Sequence, residues 1–126
     1  MKRTFIISAV LAALVAIAFT APAAVQAESG TRIVLKPSSA FSGAKGKAKY
    51  QVTGQRELEI EIEHIRRLAG KRVSFFVNST KIGTSRVNGL GAARVDRRGS
   101  NFPAIKSGTR IKVKTVGGAL IASGRF

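Results

Sequence analysis

From residue 31 onward the chain alternates apolar and polar positions with a period of two, the pattern of strands that bury one face. Eight segments carry it: "TRIVLKP" (31–37), "GKAKYQV" (46–52), "ELEIEIEHI" (57–65), "KRVSFFVN" (71–78), "KIGTSRVN" (81–88), "AARVDR" (92–97), "TRIKVKTV" (109–116) and "ALIASGRF" (119–126). Turn signals separate them, among them Pro37-Ser38-Ser39, Thr53-Gly54-Gln55, Ser79-Thr80, Gly89-Leu90-Gly91 and Gly117-Gly118. None of these segments carries an apolar stripe at helical spacing. Short strands punctuated about every 8–12 residues predict an all-β domain: a single antiparallel β-sandwich, immunoglobulin-like or small-barrel-like, of about seven or eight strands.

One pairing follows from spacing alone. A hairpin turning at Thr53-Gly54-Gln55 pairs residues whose numbers sum to 108, setting Lys49 opposite Glu59, Lys47 opposite Glu61 and Lys45 opposite Glu63. The other face then pairs Tyr50 with Leu58, Ala48 with Ile60 and Gly46 with Ile62, so small residues meet large ones inside while opposite charges meet outside. Cross-strand pairs contribute about 0.2–1 kcal/mol each, and exposed ion pairs about 0–1, so this ladder sets register more than it adds stability. A slip of one residue would turn the carboxylates into the core. A second hairpin is expected around Ser79-Thr80, with Val73, Phe75, Val77 and Ile82 in the core and one of Phe75 and Phe76 left outside. In the last segment either parity of side chains could face inward.

Residues 1–27 read differently. Met1-Lys2-Arg3 is a short positive start, "TFIISAVLAALVAIAFT" is almost wholly apolar, and "APAAVQA" brings Pro22 and then small residues, with Val25 and Ala27 at −3 and −1 of a cut before Glu28. That is the layout of a secretory signal peptide, in which a helix precedes the cleavage site. The apolar core from Phe5 to Phe19 is shorter than the about 20 residues of a spanning helix. We therefore expect a signal peptide over 1–27, a β-domain over 28–126, no stable membrane span after cleavage, and a periplasmic or extracellular destination.

Composition then changes the picture on charge. The chain has no cysteine, which excludes disulfides, thiolate metal sites and a lipid anchor on cysteine. Lys2 and Arg3 leave with the signal, so 20 of the 22 basic residues remain against six acidic ones, a net charge of +14. A charge of this size attracts polyanions and does not bear on fold. With Lys45, Lys47 and Lys49 assigned to the ladder, Arg66, Arg67, Lys71, Arg72, Arg97, Arg98, Arg110, Lys112 and Lys114 are left without evident acidic partners. Arg110, Lys112 and Lys114 share one face of their segment, a row able to track phosphates, sulfates or uronates with an affinity that falls as salt rises. The bland alternative is a solvated face that maintains solubility or blunts an edge strand. Aromatic residues are too few for a stacking platform, and nothing resembles a sequence-specific nucleic-acid motif.

The acidic residues offer other chemistry to weigh. Glu57, Glu59, Glu61 and Glu63 lie at two-residue spacing beside His64, the single histidine. Strand neighbours two apart lie about 6.6–6.8 Å from one another, inside the carboxyl separation of about 6.5–9.5 Å of an inverting glycosidase. Lysines facing those carboxylates would lower their pKa, whereas a general acid needs one raised by burial. A flat row does not surround a calcium ion, and Asp96 is the sole aspartate. His64 follows Leu58, Ile60 and Ile62 in parity, so the expectation is a partly buried histidine at a strand end. No cofactor, metal site or catalytic residue is expected.

The stretches "KGKAKY" (45–50), "LAGKRVSFFVN" (68–78), "IG" (82–83), "GLGAARV" (89–95), "PAIKSG" (103–108) and "IASGRF" (121–126) together resemble small exported bacterial all-β domains. The resemblance implies an exported β-domain and brings no functional residues with it. Three readings of function result: a secreted non-catalytic module that binds anionic polymers or cell-envelope components through its basic surface; a structural or protein-interaction module whose charge is incidental; and a hydrolase using the Glu57–Glu63 segment.

Overall fold

The computed structural model describes residues 30–126, so the signal-peptide segment 1–27 and the expected domain start at residue 28 lie outside the described residues. Eight strands follow one another: β1 Thr31–Pro37, β2 Lys45–Val52, β3 Arg56–Glu63, β4 Arg72–Val77, β5 Thr80–Arg86, β6 Ala93–Arg98, β7 Arg110–Thr115 and β8 Leu120–Arg125. Single 3-10 turns at Ser39–Phe41 and Arg66–Leu68 interrupt the loops. Every pairing is antiparallel, and the strands form one sheet in the order β5-β4-β7-β8-β1-β2-β3-β6. The edge strands β5 and β6 come to lie against each other, so the sheet is nearly closed into a barrel.

Alternation explains what fills it. Leu35, Ala48, Leu58, Ile60, Ile62, Val73, Phe75, Val77, Ile111 and Val113 each occupy the inward parity of their strand and are buried. Burying an aliphatic or phenyl side chain of this kind is worth about 1.5–3 kcal/mol, which makes the inward parity the main term in folding. The β2–β3 hairpin has the register that the spacing predicts, from Lys45 opposite Glu63 to Gln51 opposite Glu57. β1 pairs with β2 as far as Leu35 and with β8 from Lys36. Gly124 permits this handover, because a Cβ there would sit 2.9 Å from the Val34 carbonyl oxygen.

Two expectations are corrected in detail, and the parity left open in the last strand is settled. The β4–β5 turn is Asn78-Ser79, with Asn78 at φ +56°, and Thr80 already pairs with Val77. His64 is exposed: β3 ends at Glu63, His64 takes φ +64°, and that left-handed residue breaks the parity on which a buried histidine depends. Ile65 takes the buried place and donates its N–H to the Gly91 carbonyl at 3.0 Å. In β8 both Ile121 and Ala122 are buried, because the β7–β8 register shifts between Val113 and Lys114 and gives two successive residues to the interior.

The closure between β5 and β6 is made by a side chain. Arg97 Nε donates to the Ile82 carbonyl oxygen at 2.7 Å and its Nη2 donates to the same oxygen, while Val95 approaches the backbone at Gly83. A carbonyl that the missing strand pairing would otherwise leave unsatisfied thus receives a charged donor.

Candidate functional site

The register divides the outer face of the barrel by charge. On β2, β3 and β6 the outward residues are Lys45, Lys47, Lys49, Arg94 and Arg98 against Glu57, Glu59, Glu61, Glu63 and Asp96, five of each sign. Lys47 Nζ lies 3.3 Å from Glu61, Arg94 Nη2 lies 3.0 Å from Glu59 and 3.2 Å from Asp96, and Arg98 Nε lies 4.0 Å from Glu57. Thr53 Oγ1 also donates to Glu57 at 3.0 Å. The hydrogen bond to Asp96, then the charges of Asp96 and Glu59, hold the Arg94 guanidinium above its ordinary pKa. The ladder is therefore three strands wide: Glu59 faces Lys49 across the hairpin but takes its ion pair from Arg94 on the far side. Among the described residues these are all the carboxylate side chains, and none of their groupings places three or more donors for a metal ion.

On the rest of the wall every charged side chain is positive. On β5, β4, β7, β8 and β1 the outward residues include Lys81, Arg86, Arg72, Arg110, Lys112, Lys114, Arg125, Lys36 and Arg32, with no acidic side chain on these strands. Arg72 stands directly opposite Arg86, and Arg110 directly opposite Arg125. One transverse row runs Lys81, Phe76, Lys112, Ser123, Lys36 across five neighbouring strands. At about 4.7–4.9 Å per strand, its lysines fall some two strand spacings apart. Phe76 is half-buried on this outer face, and Lys114 Nζ sits 5.1 Å above its ring, a contact that holds the lysine down on the wall.

A second concentration lies at one rim. The ends of β1, β3, β5 and β7 and the starts of β2, β4, β6 and β8 meet there, with the loops 38–44, 64–71, 87–92 and 116–119. Arg66, Arg67, Lys71, Arg72 and Arg86 all belong to it. Arg67 stacks over the Phe41 ring at 4.2 Å and donates to the Ala40 carbonyl, which pins one rim loop to another. Arg86 Nη1 donates to the Gly70 carbonyl at 2.6 Å.

Of the nine cations singled out in the sequence, the structure thus gathers Arg66, Arg67, Lys71 and Arg72 at the rim and Arg110, Lys112 and Lys114 on the acid-free wall. Arg98 faces Glu57, and Arg97 closes the seam. Sequence reasoning missed Arg32, Lys36, Lys81, Arg86 and Arg125. Arg32 and Lys36 lie four residues apart in β1, Lys81 and Arg86 five apart in β5, and Arg125 is single in β8, so none reads as a run, and it is the strand order that sets them beside the others. No known protein family and no curated protein matches the chain.

Proposed function

We propose that the protein is an exported, non-catalytic β-module that binds polyanions or anionic cell-envelope components through the acid-free wall and the adjoining rim. The observation that carries this reading is the pair of directly opposed arginines, Arg72 with Arg86 and Arg110 with Arg125, on strands without an acidic side chain. Like charges directly opposite destabilise a sheet, and solubility needs far less charge than this surface holds. An anionic ligand turns that repulsion into binding. Lys112, Lys114, Lys81, Lys36 and Arg32 extend the same surface, while Arg97, Arg98, Arg56 and Arg94 are engaged within the fold and are not assigned to it.

In this reading the domain works as a two-walled, sandwich-like body whose division runs along β1. The wall of β2, β3 and β6 is neutralised by its own ladder, which leaves the opposite wall as the attractive one. Glu61, Glu59 and Glu57 are paired with Lys47, Arg94 and Arg98, which favours a structural ladder over a hydrolase. Recognition is of charge and spacing and not of base sequence, since Phe76 is the single aromatic on the cationic row. Export follows from the sequence layout of residues 1–27.

Chromatography on heparin and DNA resins tests the proposal. The exported protein should be retained at low salt and elute at moderate salt, and Arg110→Glu with Lys112→Glu should elute earlier on both. Passage through either resin unretained at low salt would sink the idea.

A further inference from the structure

The rim also presents apolar side chains that none of the described residues covers. Val116, at the tip of the β7–β8 turn, is 67% exposed; Leu120, where β8 begins, is 37% exposed; and Leu90, on the 87–92 loop of the same rim, is 72% exposed. Both loops are braced by hydrogen bonds of their own. At the β7–β8 tip Thr115 donates its N–H to the Ala119 carbonyl at 2.9 Å, Gly118 donates to the Thr115 carbonyl at 2.9 Å, and Ala119 donates to Thr115 Oγ1 at 3.0 Å. In the other loop Asn88 Oδ1 accepts the N–H groups of Leu90 at 2.9 Å and Ala92 at 3.0 Å, and Gly91 donates to the Asn88 carbonyl at 3.0 Å. These bonds hold the bare valine and the bare leucine out from the rim, so each side chain stands where a surface laid against the rim meets it first.

Cations flank these tips. Arg72 precedes Val73, which pairs with Thr115 at the base of the tip, and Arg86 stands opposite Arg72. Lys71 and Arg66 occupy the loop between β3 and β4 beside Leu90, where the backbone of Arg66 packs against Gly91. Glu63 is the one acidic side chain at this rim among the described residues. A soluble polyanion would engage the cations and leave Val116 and Leu90 in water. A surface that offers anionic headgroups above an apolar layer engages both.

Resting on the polyanion reading above, we infer that this rim docks on an anionic lipid bilayer. Val116 and Leu90 enter the interfacial layer, and Arg66, Lys71, Arg72 and Arg86 meet lipid phosphates from the side. The contact is peripheral and reversible.

The chain contains no tryptophan, so Val116→Trp introduces a single reporter at the tip. Its emission should shift to the blue on mixing with vesicles of phosphatidylglycerol and phosphatidylcholine, and should not shift with phosphatidylcholine alone or with heparin. Val116→Ser combined with Leu90→Ser alters no charge. It should weaken vesicle binding about tenfold or more while leaving the salt needed for heparin elution unchanged. Lys71→Gln should weaken vesicle binding about fivefold. A vesicle-bound Val116→Trp protein whose indole stays in water, serine variants that bind vesicles as well as the parent, or retention on heparin without vesicle binding would each overturn lipid docking and leave the polyanion reading standing. A blue shift that grows with protein concentration in the absence of vesicles would overturn it too, assigning the tip to self-association instead. Failure on heparin and vesicles alike would remove both proposals.

Discussion

Arg97 was the least legible of the charged residues. In sequence it forms an Arg-Arg pair with Arg98 in an exposed-looking segment, and nothing local separates their roles. Its partner is the carbonyl of Ile82, which the near-closure of the barrel brings beside it. Replacing Arg97 with Ala leaves that half-sheltered carbonyl without its charged donors and should cost about 1–3 kcal/mol of stability, read by denaturant unfolding. Arg97→Lys should recover only part of it, because an ammonium group lacks the fork that places Nε and Nη2 on one oxygen. Retention on heparin, adjusted for the lost charge, should change less than for Lys112→Ala. Gly91 is a second residue whose reason lies far along the chain. It takes φ +83°, and a Cβ there would fall 2.6 Å from the backbone nitrogen of Arg66. Gly91→Ala should cost about 1–3 kcal/mol from backbone strain alone, with the clash added, and should loosen the loop that holds Arg66. The glycine was visible in sequence as a turn signal, but its contact with Arg66 was not.

At the scale of elements, alternation was enough to place all eight strands to within a residue or two, because the inward parity is apolar through most of them, with Ser85 in β5 and Arg97 in β6 as exceptions at the seam. It misled where a residue leaves the strand conformation. His64 and Asn78 both take positive φ, and a count of parity carried across them assigns the wrong face or the wrong turn. The β2–β3 register was legible for a further reason: both faces of the hairpin vote for it, the apolar face through Ala48 with Ile60 and the charged face through Lys47 with Glu61. The third strand of the ladder was not legible, since β6 reaches β3 only through the chain's return around the barrel. Glu61 now stands between Lys47 on one side and Arg94 on the other. Glu61→Lys should therefore destabilise the domain by about 0.5–2 kcal/mol, and adding Lys47→Glu to that variant should restore roughly 0.5 kcal/mol. A thermal or denaturant double-mutant cycle at low salt measures the coupling, and strict additivity of the two changes would mean that the ladder does not act across strands.

At the scale of the whole molecule, net charge told that the surface is basic but not how the charge is arranged. The strand order places every acidic side chain of the described residues on β3 and β6, next to the lysines of β2, and this neutral wall leaves the excess on the other five strands. The consequence is a conflict between stability and binding that one substitution can expose. Arg125 stands opposite Arg110, and Arg125→Glu converts a repulsive pair into an attractive one. It should raise stability at low salt by about 0.5–1 kcal/mol, an advantage that shrinks as added salt screens the original repulsion. The same variant should elute from heparin at lower salt than the parent, because the ligand has lost one cation and met one anion. In the parent, a soluble polyanion should raise the thermal midpoint, since it binds the folded wall and not an unfolded chain whose cations are dispersed. If Arg125→Glu raised stability but left heparin elution where it was, the cationic wall would be a tolerated expense of the fold and the binding surface would have to be confined to the rim.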